Sequence, residues 1–157
     1  MTTASESLSG PLYIDPSAWV KLYLPEAFSD VLNATLLGRR DLFVSDLGAT
    51  EVASAVGRAC REGRLDRISG RRLLRTLRHH VETGVVQRLE LTPRVHVEAE
   101  RLLLADHDVP LRAADALHIA LASLGDIATM VTYDPRQSRA ARAASLGVVS
   151  PGTRLRP

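Results

Sequence analysis

A chain of 157 residues that is 45% hydrophobic and 24% charged has the length for one core and is too apolar to stay disordered, so a single domain over 1–157 is expected, with a flexible polar leader at 1–10. Its one cysteine, Cys60, rules out an intramolecular disulfide and a thiolate zinc site. No basic-then-apolar leader and no run of about 18 apolar residues is present, which points to a reducing cytoplasm rather than secretion or a membrane. The net charge of +2 hides a skew, because Lys21 is the only lysine among 20 basic residues, and arginine is the better fork for phosphate oxygens.

In chain order, Leu12-Tyr13-Ile14-Asp15 reads as a short buried strand stopped by Asp-Pro. Trp19, Leu22, Tyr23 and Leu24, then Phe28, Val31 and Leu32, make the following helices unusually apolar; most of these belong in a core, and any left exposed would form a groove for a partner helix. A second strand is expected at 41–45 and a helix at 49–61. Arg58, Arg61, Arg64, Arg67, Arg71, Arg72, Arg75 and Arg78 then face only Glu62 and Asp66, a surplus that serves either as a solvated helix face or as a contact for RNA. A helix at 71–81, a strand at 85–91, helices at 95–105 and 112–124, and strands at 127–132 and 148–150 complete the series. The alternation implies an α/β three-layer sandwich around a central, mainly parallel five-stranded sheet, with no repeat and no linker.

Ligands of such sheets bind beyond the carboxyl ends of the strands, which directs attention to the residues closing them. Asp15 closes the first strand in Ile14-Asp15-Pro16-Ser17, and Asp134 closes the fourth in Val131-Thr132-Tyr133-Asp134-Pro135. Each Asp-Pro pair also reads as a helix cap followed by proline at the first helical position, and a capping aspartate keeps a second oxygen to offer. Glu51 has Leu47, Gly48, Ser54 and Ala55 as helical neighbours, a small and mostly apolar stripe on which a carboxylate needs a cation or donors. Asp115 stands near the start of its helix among Ala113, Ala114 and Ala116; a favourable helix dipole accounts for the acid but not for the alanines around it.

Carboxylates are the hard ligands that Mg²⁺ and Mn²⁺ prefer, and no Cys/His set is spaced to compete. Among the histidines at 79, 80, 96, 107 and 118, His118 is best placed, one turn after Asp115; it reads as a packing or hydrogen-bonding residue, since a metal-activated water needs no imidazole base.

Taken in order, IDPSAW, the glutamate in ATEVASAV, LRAADALHIALA, VTYDPR with its Ala-rich helix, and the closing SPG resemble the PIN-domain ribonucleases, and more narrowly the VapC toxins of toxin-antitoxin pairs, from about Leu12 to Gly152. The resemblance implies a Mg²⁺-dependent endoribonuclease, with Mn²⁺ as substitute, whose catalytic and metal-binding residues are Asp15, Glu51, Asp115 and Asp134, with Ser17 and Thr132 lining the cofactor pocket. It also implies products with 5′-phosphate and 3′-hydroxyl ends, a cognate antitoxin as partner, and a homodimer. Pro16 and Pro135 depart from the usual family pattern.

Other readings of an acidic pocket fare worse. A receiver domain needs a lysine after a late strand, where none exists, and a haloacid-dehalogenase phosphatase needs an aspartate where Ser17 stands. P-loop and dinucleotide glycine fingerprints are absent. The remaining alternative is a catalytically inactive PIN-like module that binds RNA or protein.

Overall fold

The computed structural model describes residues 8–105 and 109–153. Five short strands, β1 (Leu12–Ile14), β2 (Leu42–Ser45), β3 (Gln87–Leu89), β4 (Thr129–Val131) and β5 (Gly147–Val149), form one sheet in the order β3-β2-β1-β4-β5. Every pairing is parallel, with Leu12 opposite Leu42 and Thr129, and Ile14 opposite Val131. The central strand β1 is buried along its whole length, so its residues serve both faces.

Leu12 and Ile14 join Val44 and Val131 under α1 (Pro16–Trp19), α2 (Ser29–Leu36), α3 (Asp46–Arg61) and α4 (Arg67–Glu82). Tyr13 and Met130 turn to the opposite face, against α5 (Pro93–Leu104), α6 (Ala113–Leu124) and α7 (Pro135–Ala143). This period-two division across one strand makes the three layers. In the apolar first helices, Trp19 and Leu32 are fully buried core, whereas Phe28 and Val31 remain on the surface.

Several helices start earlier than their periodicity suggests, because caps outside the apolar pattern begin them. Ser45 accepts from the Gly48 amide at 3.0 Å and starts α3 at Asp46, and Asp66 accepts from the Ile68 and Ser69 amides and starts α4 at Arg67. A Cβ at Gly48, in the first turn of α3, would lie 3.3 Å from Ser45 Oγ, so the glycine leaves room for the serine that caps the helix.

Leu8 and Gly10, at the end of the expected leader, lend their carbonyls to Arg39 at 2.6 Å each; the earlier leader residues, and His107, fall outside the described residues. No helix among the described residues is long and apolar enough to cross a membrane.

Candidate active site

Asp15 follows the end of β1 and caps α1. Its Oδ2 accepts from the Ser17 amide (3.1 Å), the Ser17 hydroxyl (2.5 Å) and the Thr132 hydroxyl (2.9 Å). Thr132, just past β4, thereby ties the two neighbouring strand ends together, and its Oγ1 also accepts from the Asp134 amide at 3.1 Å. Burial pushes the Asp15 carboxyl above the usual range, against the opposing pull of the Ser17 and Thr132 hydrogen bonds.

Asp134 caps α7 through Oδ1, which accepts from the Arg136 amide at 2.8 Å. Asp115 occupies the first turn of α6, where its Oδ2 accepts from the Arg112 amide (3.2 Å) and from Arg136 Nη2 (2.9 Å). Glu51, on α3, accepts at Oε2 from His118 Nε2 at 2.6 Å. The two Asp-Pro pairs therefore cap their helices, each through one carboxylate oxygen.

One regularity runs through all four acids. Each carboxylate has one oxygen engaged by protein donors, while the other makes no hydrogen bond to another described residue. All four line one open cleft of roughly 420 Å³ together with Ser17, Lys21, Arg58, Arg64, His118 and Tyr133. Among the described residues, no three His, Cys, Asp or Glu side chains stand close enough to hold one ion by themselves.

Thr132 is placed differently from the expectation that it lines the pocket. It is fully buried and sits behind Asp15, whereas Ser17 does reach the cleft wall. Glu51 is also less enclosed than its apolar neighbours imply, with its side chain 38% exposed to the cleft, and the donor its stripe called for is His118, from another helix. Sequence reading missed Arg136 and the pair Lys21–Tyr133. Arginine in the first turn of a helix opposes the macrodipole, a misplacement that signals an external anion, here Asp115. Lys21 lies 5.2 Å from the Tyr133 ring centroid and 3.0 Å from Glu26, and Phe28 stacks on the other part of this rim at 5.9 Å.

The eight arginines divide by position. Arg58 and Arg64 reach the cleft, and Arg64 is also paired with Glu62 at 2.6 Å; the others stand on exposed faces of α3 and α4. Among the described residues Arg58, Arg61, Arg67, Arg71, Arg72, Arg75 and Arg78 make no ion pair.

A parallel α/β sheet carrying an acidic cleft beyond the carboxyl ends of β1 and β4 has its candidate site where ligands of such sheets bind, and comparison with known proteins narrows the class. The PIN domain family matches residues 12–143, and the chain belongs to that family. Within it the relatives are VapC proteins. Ribonuclease VapC46 of Mycobacterium tuberculosis is 34% identical over 142 residues, 89% of this chain and 97% of that protein. Ribonuclease VapC35 of the same species is 34% identical over 149 residues, 90% of this chain and 97% of that protein. The fold agrees with the crystal structure of M. tuberculosis VapC20, described as a sarcin-ricin loop cleaving toxin, with a TM-score of 0.70 and 18% identity over 89% of this chain and 99% of that one.

Proposed function

We propose that this chain is the toxin of a toxin-antitoxin pair, an endoribonuclease that hydrolyses RNA phosphodiester bonds in the acidic cleft with one or two Mg²⁺ or Mn²⁺ ions. The observation that carries the reading is the half-engaged state of all four carboxylates. Asp15, Glu51, Asp115 and Asp134 are each held in place through one oxygen, and the other remains available to a cation. Relatives at 34% identity that bear the name ribonuclease support the choice of RNA.

The residues fit the ion. Hard oxygen donors suit Mg²⁺, which keeps several waters and commonly takes only one or two carboxylates plus phosphate oxygens, so a cleft in which no three ligands converge suits it better than a closed cage would. When bound, such an ion lowers the pKa of a water and offsets charge on the phosphoryl oxygens. The chain's own part is positional. Ser17 and Thr132 fix Asp15 to the strand ends, Arg136 draws Asp115 toward α7, and His118 holds Glu51. Arg58, on the cleft wall without an acidic partner among the described residues, is placed to meet a phosphate; Lys21, beside Tyr133 on the rim, gives a second cation.

The antitoxin would cover the cleft and its apolar rim, where Phe28 and Val31 are 44% and 46% exposed. The toxin acts in the cytoplasm as a homodimer. The scaffold alternative loses ground because no acid is missing from the cleft and each is held by a donor.

The test is RNA cleavage by the purified chain, freed of partner, with Mg²⁺ or Mn²⁺, with a chelator, and beside Asp15→Asn. Cleavage abolished by both the chelator and the substitution supports the reading. Cleavage that survives either refutes it, and a folded chain that binds Mn²⁺ yet cuts no RNA favours the scaffold.

A further inference from the structure

The mechanism uses Glu51 but leaves unexplained a run of buried polar groups behind it. Tyr13, Ser45 and His118 are 0%, 1% and 2% exposed, in the middle of the fold where polar atoms are costly unless fully paired. They form a continuous line. The Gly48 amide meets Ser45 Oγ at 3.0 Å, Ser45 Oγ meets Tyr13 Oη at 2.7 Å, Tyr13 Oη meets His118 Nδ1 at 2.7 Å, and His118 Nε2 meets Glu51 Oε2 at 2.6 Å.

Donor counting gives this line one direction. An ionised Glu51 only accepts, so His118 must donate from Nε2. Its Nδ1 then accepts the Tyr13 hydroxyl hydrogen, the Tyr13 oxygen accepts the Ser45 hydroxyl hydrogen, and Ser45 accepts the Gly48 amide. Every hydrogen finds an acceptor. With a hydrogen on Nδ1 as well, the Tyr13 hydroxyl would have to donate to Ser45, and the buried Ser45 hydrogen would find no acceptor among the described residues.

The line also closes on itself. It leaves the first turn of α3 at Gly48, crosses β1 at Tyr13 and α6 at His118, and returns to α3 at Glu51, three residues after its start. Tyr13 is two residues before Asp15 on the same chain direction, and His118 is one helical turn after Asp115. Elements carrying three of the four acids are thus fastened to one another by one circuit.

We propose that Ser45, Tyr13 and His118 are positioning residues, a clamp that holds the Glu51 carboxylate through one oxygen so that the other faces the cleft it shares with Asp15 and Asp115 and can take a divalent cation there. This rests on the metal-dependent reading above, but the clamp can be read without RNA. Glutamate has three rotatable side-chain bonds and Glu51 is 38% exposed, so without a fixed donor its carboxylate would swing in the cleft. Groups that orient a metal ligand through its free side characteristically change affinity by about 10- to 100-fold when removed.

The test uses the full chain with Mn²⁺ as probe, measured by titration calorimetry, and ¹⁵N-labelled histidine resonances of the metal-free protein. His118→Leu is expected to weaken Mn²⁺ binding by about 10- to 100-fold. His118→Gln, whose amide places an N–H near the Nε2 position, is expected to recover most of that loss, and Tyr13→Phe to fall between. The His118 ring should carry its hydrogen on Nε2, with a downfield proton that moves when Glu51→Gln is made. A purely structural role would lower stability in His118→Leu and His118→Gln alike without separating them in Mn²⁺ affinity, and that result overturns the clamp, as does a hydrogen on Nδ1 or an unmoved Nε2 proton. Should His118→Leu fail to fold, His118→Gln and Tyr13→Phe decide: parent-like Mn²⁺ affinity in Tyr13→Phe overturns the proposal. A parent chain that binds no Mn²⁺ refutes the metal reading, and the clamp then stands or falls on the resonance alone; Mn²⁺ binding without RNA cleavage refutes the ribonuclease reading and leaves the clamp intact.

Discussion

Replacing Asp15 by asparagine tests the proposed cation role separately from the fold, because only one of the two carboxylate oxygens is engaged by protein donors. Oδ2 accepts three hydrogen bonds from Ser17 and Thr132, which the asparagine carbonyl can inherit, while the amide nitrogen replaces the oxygen left for a cation. Burial raises the Asp15 pKa in the folded protein above its unfolded value. For a group shifted in that direction the stabilising contribution is complete below the unfolded pKa and is lost as pH rises through the folded one. The metal-free parent should therefore lose stability as pH climbs out of the ordinary carboxylate range, and Asp15→Asn should lose less of it. A cation favours the ionised form and reverses the trend. At a Mn²⁺ concentration a hundred times its Kd the parent should gain about 2.7 kcal/mol, which for a chain of this size is a rise in Tm of roughly 5–11 °C. That rise should be larger at pH 8 than at pH 4, within the ordinary carboxylate range, and nearly absent in Asp15→Asn. Calorimetric melts of both proteins at the two pH values, with Mn²⁺ and with chelator, give the answer. A Mn²⁺ shift of equal size at both pH values, or one retained in full by Asp15→Asn, would refute the reasoning.

Other expectations concern the arginines and the packing of α3 on α4. Arg58→Ala, measured in an Asp15→Asn background that binds RNA without cutting it, should weaken binding across sequences and lower the slope of log affinity against log salt by about 0.7, the value for one phosphate contact on a single strand; an unchanged slope removes Arg58 from the RNA path. Gly70→Ala should destabilise by about 1–3 kcal/mol although alanine is the better helix former by about 1 kcal/mol, because its Cβ would stand 2.9 Å from Cys60 Sγ and 3.2 Å from Val56 Cγ1. Adding Cys60→Ala should return most of that loss, and chemical denaturation of the single and double variants would show it; independent, additive effects would mean that the clash is not the cause. Ile119→Ala, a fully buried truncation on α6, should cost about 2–5 kcal/mol in the same assay while leaving Mn²⁺ affinity per folded molecule near that of the parent.

Much of this domain can be read from local pattern. The alternation of short apolar runs with helical periods implies a parallel α/β sheet, and all five strands lie within or beside the expected runs. The two Asp-Pro pairs fall beyond strand ends because proline cannot continue a ladder and suits a first helical turn, so Asp15 and Asp134 stand at the carboxyl edge of the sheet by local chemistry alone. Helix starts were less visible. Ser45 and Asp66 lie outside the apolar periodicity, so α3 and α4 begin three or four residues before their hydrophobic stripes do.

What the linear order of residues determines, then, is the set of elements, the strand-end aspartates and the presence of four acids in the motifs that carry them. Which oxygen of each acid is engaged, and by whom, belongs to the tertiary structure. Arg136 meets Asp115 across 21 positions, His118 meets Glu51 across 67, and Tyr13 meets His118 across 105. Hydrogen bonds act over about 3 Å whatever the separation along the chain, and no periodicity encodes a partner so distant. Thr132 shows the same limit: its place in the motif marks it for the site, but only the parallel pairing of β4 with β1 brings it, one residue past β4, against Asp15 and buries it there.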